Sequence, residues 1–219
     1  MIASFSEAKP LIVVAGPSGA GKTTVTSRLV DQDKNFSFSI SATTRSPRGN
    51  EVDGVDYLFL SQDEFATMVS NGDFLEWAEV HGEKYGTPRD QLDSAFRSET
   101  SLILDIDVQG AIQIKNQIED VTLIFLMPPS VEVLVERLRG RGTEKEEKLI
   151  ERLQNAREEV VLAKEFDYML VNEELDRVVA QIKEIITVER ETNPKGIDLS
   201  SEIRQFQTGL DIVLEDLLE

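Results

Sequence analysis

The chain has 219 residues, with 23 Lys and Arg against 41 Asp and Glu and a formal net charge of −18. A general nucleic-acid binder needs a basic face to neutralise phosphates, so that class is disfavoured; a 40% hydrophobic content makes the chain globular. No apolar run approaches the roughly 20 residues of a membrane span, the first ten residues lack the blocks of a signal peptide, and the absence of cysteine excludes disulfides and thiolate metal sites and fits the cytoplasm.

Leu11–Ala15 reads as a fully buried strand and 22–32 as a helix. The loop between them, Gly16-Pro17-Ser18-Gly19-Ala20-Gly21-Lys22-Thr23, has the complete G-x-x-x-x-G-K-[ST] spacing. Such a loop turns tightly, points successive N–H groups inward and lies at the positive end of a helix, which makes it a phosphate cradle. Lys22 is placed to reach the β- and γ-phosphates of a nucleoside triphosphate and the Thr23 hydroxyl to sit on Mg²⁺, with Thr24 in the first helical turn behind it.

From Phe36 to Leu60 the pattern turns β-like, with alternation in 36–41 and 55–60 around a polar loop, Thr43 to Glu51. Ser61-Gln62-Asp63-Glu64 is a capping box that opens a short helix to about Ser70. Phe74 to His81 reads as a strand. Tyr85-Gly86-Thr87-Pro88 reads as a loop leading into a helix with Leu92, Ala95 and Phe96. Residues 36–98 therefore form a β-rich insert, and 10–35 with 99–191 form an α/β core with a parallel sheet. In that core, 101–107 and Val121 to Met127 are buried strands, each followed by a helix; the second helix carries Val131, Val135 and Leu138 on one face. Gly140 and Gly142 interrupt the chain before a second capping box, Thr143 to Glu146, and a charged helix to about Lys164. Tyr168–Val171 is the last strand and Leu175–Val188 the last core helix. Residues 192–219 are an extension with an amphipathic helix (Ile203, Phe206, Leu210, Val213, Leu214, Leu217), weakened by Gly209. It either packs on its own domain or makes a contact in a homo-oligomer.

Four groups carry chemistry beyond the glycine loop. Asp105 and Asp107 end a buried strand, where ligands of open parallel sheets bind; they either serve Mg²⁺ or cap the next helix. Arg45 and Arg48, with Ser41, Thr43 and Thr44, form a receptor for a second phosphate or else a solvated basic loop. Glu76 interrupts the apolar run Phe74-Leu75-Glu76-Trp77. Turned inward, its carboxylate would accept the paired N1 and exocyclic amine donors that guanine has and adenine lacks, but alternation alone favours an outward position. Arg137, Arg139, Arg141 and Arg152 surround the Gly140/Gly142 break, as in a lid that neutralises a transferring phosphoryl group, or as in a salt-bridged surface helix.

Together these segments resemble the guanylate kinases over about residues 10–190. The specific stretches are Ser41-Ala42-Thr43-Thr44-Arg45-x-Pro47-Arg48-x-x-Glu51, Gly54-x-x-Tyr57-x-Phe59, Phe74-Leu75-Glu76-Trp77-Ala78, Tyr85-Gly86-Thr87, Leu104-Asp105-Ile106-Asp107-x-Gln109-Gly110 and Arg137-Leu138-x-Gly140-Arg141-Gly142-Thr143. The resemblance implies a P-loop fold with a GMP-binding insert and a helical lid at about 142–162, and transfer of the γ-phosphoryl of ATP to GMP with Mg²⁺. It implies that Ser41 and Glu76 contact guanine with Thr87 beside the base, and that Arg45, Arg48, Tyr57 and Tyr85 hold the GMP phosphate. Glu51, Asp105 and Asp107 belong to the same GMP side, with Asp105 and Thr23 toward the metal. Lys22, Arg48, Arg141 and Arg152 attend the transferring group, and Arg137 and Asn172 lie on the ATP side. Glu83-Lys84 and His81 depart from the family pattern at the edge of the GMP pocket. Guanylate kinase-like binding modules lose the loop glycines or lysine, both intact here, and the N-K-x-D guanine motif of GTPases is absent.

Overall fold

The computed structural model describes residues 11–80, 82–140, 146–192 and 200–218. His81, Arg141, Gly142 and Thr143 to Lys145 of the second capping box lie outside them. Five strands form a parallel sheet in the order β2 (Phe36–Phe38), β7 (Ser101–Asp105), β1 (Leu11–Ala15), β8 (Val121–Met127) and β9 (Tyr168–Val171). A second, four-stranded sheet runs β4 (Leu58–Phe59), β3 (Ala42–Thr43), β6 (Glu83–Pro88), β5 (Phe74–Val80). The chain divides into two compact units, 1–13 with 29–121 and 14–28 with 122–219.

In the first unit, β2 pairs parallel with β7 (Phe36 opposite Ser101). The alternating stretch expected to open the β-rich insert at residue 36 thus gives its first strand to the parallel sheet. The stretch 55–60 yields only the two-residue β4, because Val52, Asp53, Gly54 and Tyr57 fold into a turn in which the Asp56 carboxylate accepts the Val52 N–H. Tyr85–Pro88, expected as a loop, belongs to β6, which runs antiparallel to both β3 and β5; Gly86 is needed there, since a Cβ would stand 2.9 Å from Phe74 and 3.0 Å from the Glu76 carbonyl oxygen. Helix α2 (Gln62–Asn71) has the expected capping box: Ser61 Oγ accepts the Glu64 N–H, and the Glu64 carboxylate accepts the Ser61 N–H at 2.8 Å. It seals a small core of Ala42, Phe65 and Phe74, with the two rings stacked at 4.5 Å. Helices α3 (Arg89–Arg97) and α4 (Val108–Gln117) complete the unit. Asp107 caps α4 by accepting the Gly110 N–H at 2.9 Å, which fulfils the capping alternative for one of the two aspartates.

In the second unit, β8 and β9 pair in parallel register (Ile124 opposite Tyr168). Helix α1 (Lys22–Gln32) starts there, followed in sequence by α5 (Val131–Arg139), α6 (Glu146–Val161), α7 (Leu175–Thr192) and α8 (Ser200–Leu218). Helix α5 buries Val131, Leu134 and Leu138, so Leu134 takes the inward place expected of Val135. The extension packs on its own domain. Ile203, Phe206, Leu210 and Leu214 of α8 are buried against α6 and α5, and Asp211 forms an ion pair with Arg157. Four of the six apolar residues are thereby used within the chain. Gly209 is the point of closest approach: a Cβ would meet Val131 Cγ2 at 2.9 Å.

Candidate active site

In the first unit, β3 and the loop after it bring Arg45 into a cage. The guanidinium donates to both Glu51 carboxylate oxygens (2.6 and 2.7 Å) and to the Ser46 carbonyl (2.9 Å). It also lies over the rings of Tyr57 (4.8 Å) and Phe59 (5.6 Å), and only 7% of the residue is exposed. The Arg45 hydrogen bonds, with the Arg48 N–H donated at 2.7 Å, hold the Glu51 carboxyl down at about 2. Glu51 is therefore spent on its own chain. Its two oxygens fix the direction of the Arg45 guanidinium. Tyr85 packs edge-on to Tyr57 at 6.1 Å, and burial raises the Tyr57 hydroxyl pKa. The Arg48 side chain is exposed and Ser41 is half-buried at the entry to β3. The unusual Glu83-Lys84 pair is stitched to this loop: the Thr44 hydroxyl donates to Glu83 at 3.0 Å and accepts the Lys84 N–H at 2.9 Å. Phe59, named in the sequence only within the stretch Gly54-x-x-Tyr57-x-Phe59, lies beneath Arg45, and its two-residue spacing from Tyr57 puts both rings on one side of an extended chain.

Glu76 is buried, with 3% exposed, against the outward position that alternation favours. The reason is a bulge. Phe74 faces Pro88 but Glu76 faces Thr87, so β5 spends one extra residue there and the side chains that follow are re-aimed. The Thr87 hydroxyl donates to Glu76 Oε1 at 2.6 Å. Burial, opposed by that hydrogen bond and aided by the Asp107 charge, pushes the Glu76 carboxyl up to about 7. Glu76, Thr87 and Asp107 are thus gathered at one place in this unit, and Asp105 stands half-buried at the end of β7.

In the second unit, the glycine loop runs from β1 into α1. Gly16 and Gly21 have φ of 143° and 92°, and a Cβ would stand 2.3 Å from the Leu126 carbonyl oxygen at the first and 2.5 Å from Asn172 Nδ2 at the second. Lys22 Nζ donates to the Gly16 carbonyl at 2.8 Å, while Thr23 and Thr24 are exposed at the start of α1. Arg152 on α6 donates to Ser18 Oγ at 2.6 Å. Arg137 and Asn172 lie behind the loop. Asn172 Nδ2 donates to the Ala20 carbonyl at 2.8 Å, and Arg137 donates to the carbonyls of Gly19 and Ala20 at 3.3 Å. Both residues are bonded to the loop's backbone, with Asn172 held in turn through its N–H to the Met127 carbonyl.

A glycine loop between a buried parallel strand and a helix defines the class: a P-loop α/β protein. The chain belongs to the guanylate kinase family, whose model matches residues 7–189, and it is an enzyme of that kind. It is 42% identical over 195 residues to a guanylate kinase of Caldanaerobacter subterraneus subsp. tengcongensis, covering 89% of this chain and 95% of the relative. It is 46% identical over 176 residues to one from Synechocystis, covering 80% and 92%. The crystal structure of the Anaplasma phagocytophilum guanylate kinase superposes with a TM-score of 0.69 at 33% identity, over 89% of this chain and 93% of that one. Helix α8 lies beyond the stretch that the family model matches.

Proposed function

We propose that the chain moves the γ-phosphoryl group of ATP onto GMP, giving ADP and GDP. The observation that carries the reading is the buried Glu76 carboxylate on β5 beside Thr87, in the same sheet as the aromatic cage of Arg45. A carboxylate accepts the two parallel donors of guanine, and a fixed guanidinium takes a phosphate oxygen pair. In this reading residues 36–98, less β2, form the GMP insert. Ser41, Glu76 and Thr87 hold the base, with Asp107 next to Glu76. Arg45, Arg48, Tyr57 and Tyr85 hold the phosphate, and Glu51 orients Arg45. Gly16 to Thr24 cradle the ATP phosphates. Lys22 and Arg152 neutralise charge on the transferring group together with Arg141, which lies outside the described residues. Asn172 and Arg137 serve ATP by holding the loop in shape.

Mg²⁺ is the ion this reading requires, and the chain offers oxygen donors of the kind it takes. The Thr23 hydroxyl and the Asp105 carboxylate are hard oxygen ligands, and this ion takes few protein groups when phosphate oxygens complete its shell. When bound it would supply positive charge that offsets the charge of the phosphate oxygens. The acceptor phosphate already carries charged oxygens, so the residues position it and stabilise charge, with no general base required. Helix α6, with the segment before it, is the proposed lid (about 142–162), closing to exclude water. Among the described residues no helix is long and apolar enough to cross a membrane; the lack of cysteine supports a cytoplasmic place. The test is ADP formation from Mg-ATP with GMP, AMP, CMP and UMP in turn. Strong turnover with GMP alone is expected; turnover with AMP at a similar rate would overturn the assignment of Glu76 to the base.

A further inference from the structure

Gly110 sits in the first turn of α4, with no positive φ to require glycine. Glycine weakens a helix relative to alanine, so its presence needs another cause. The cause is on the facing strand. A Cβ at position 110 would stand 2.5 Å from Glu76 Oε2, a distance that real side chains essentially never show, and a tight 3.0 Å from its Cδ. The carboxylate occupies the place a side chain at 110 would fill. Three residues along, and so on the same face of α4, Gln113 grips the backbone next to Glu76. Its Nε2 donates to the Trp77 carbonyl at 2.9 Å, and its Oε1 accepts the Trp77 N–H at 3.4 Å. These bonds come from outside the sheet, just after the bulge at 74–76 where strand pairing is irregular.

We propose that Gly110 and Gln113 are positioning residues for base recognition: α4 sets the pose of the Glu76 carboxylate, Gly110 by leaving the space it fills and Gln113 by fixing the peptide that follows it. The inference rests on the reading of Glu76 as the guanine acceptor. Without the room at 110, the carboxylate must swing away from its bond with Thr87, and the two acceptor oxygens lose their alignment with a bound base. Without Gln113, the Trp77 peptide loses the two bonds that hold it from outside the sheet. The contacts described for both residues lie within the first unit, which makes the ATP KM the control.

The experiment is a double-mutant cycle on steady-state kinetics with GMP and with inosine monophosphate, which keeps the N1 donor and lacks the exocyclic amine. Gly110→Ala is expected to raise the GMP KM on the order of 10–100-fold, since a lost charge-assisted hydrogen bond is worth that much. It should narrow the preference for GMP over inosine monophosphate and leave the ATP KM unchanged, with the melting temperature kept because alanine favours helix. Gln113→Met should move the GMP KM the same way by a smaller factor. Glu76→Ala raises the GMP KM and empties the space, so Gly110→Ala added to it should do nothing further. If the two changes instead add in full, or if Gly110→Ala leaves the GMP KM and base preference unmoved while Glu76→Ala changes both, the positioning role is wrong and the base assignment stands. If Glu76→Ala itself leaves the GMP KM unchanged, the base assignment fails and the inference falls with it.

Discussion

Replacing Glu76 by glutamine should make this protein more stable and a worse kinase at the same time. Glu76 has a carboxyl raised from 4.5 to about 7, chiefly by burial. A folded-state pKa above the unfolded value means that the folded form binds the extra proton between those two pH values. The contribution of this group to stability therefore falls as pH rises from about 4.5 to about 7 and stays at its low level above. A rise of that size corresponds to about 3 kcal/mol at 1.36 kcal/mol per unit, an upper value since water reaches buried sites in part. Glutamine keeps the shape and the acceptor for Thr87 but carries no charge. Glu76→Gln should thus gain about 2–3 kcal/mol over the parent at pH 8, a rise in Tm of several degrees for a chain of this size, and gain nothing below pH 4.5. Its amide offers one acceptor where guanine needs two, so the GMP KM should rise on the order of tenfold or more, with AMP used relatively better. Below pH 7 the parent should lose GMP affinity as Glu76 takes up its proton, over and above the titration of the GMP phosphate; the variant should show the phosphate's titration alone. Thermal unfolding at pH 4.5 and 8 and GMP KM from pH 6 to 8 measure all of this. A variant less stable than the parent at pH 8, or one with an unchanged GMP KM, would refute the reasoning.

Three further outcomes are expected. Asn172→Ala removes the amide that holds the Ala20 carbonyl; it should raise the ATP KM several-fold and cost about 1–2 kcal/mol of stability, with GMP KM unchanged in the same assay. Glu51→Ala releases Arg45 from its two carboxylate bonds, and isothermal titration should show GMP binding weakened on the order of tenfold although a negative charge has been removed from the phosphate side. Gly209→Leu forces a side chain against Val131 and should destabilise the chain by about 1–3 kcal/mol by chemical denaturation; an equal or higher midpoint would contradict the packing of α8 on α5.

Length of segment and local chemistry made much of this protein legible from its residues. The glycine spacing of Gly16–Thr23, the buried runs of β1 and β8, the strand at β9, and the Ser61–Glu64 capping box are local statements. Each is settled within one turn or one strand, and each stands as expected. The order of the strands is not local, and neither is the fate of β2, whose alternation suited either sheet until Phe36 found Ser101. Tyr85–Pro88 carries Gly and Pro and reads as a loop, yet both its neighbours in the sheet offer it pairing. Glu76 shows the limit most plainly. Period-2 alternation sends it to solvent, and one extra residue in β5 turns it into the interior, because a bulge is a property of two strands in register and not of one. The amphipathic face of α8 was visible in the spacing of Ile203, Phe206, Leu210 and Leu214, but a hydrophobic stripe does not specify what covers it. Only the packed chain shows that α5 and α6 do, with Gly209 supplying the room.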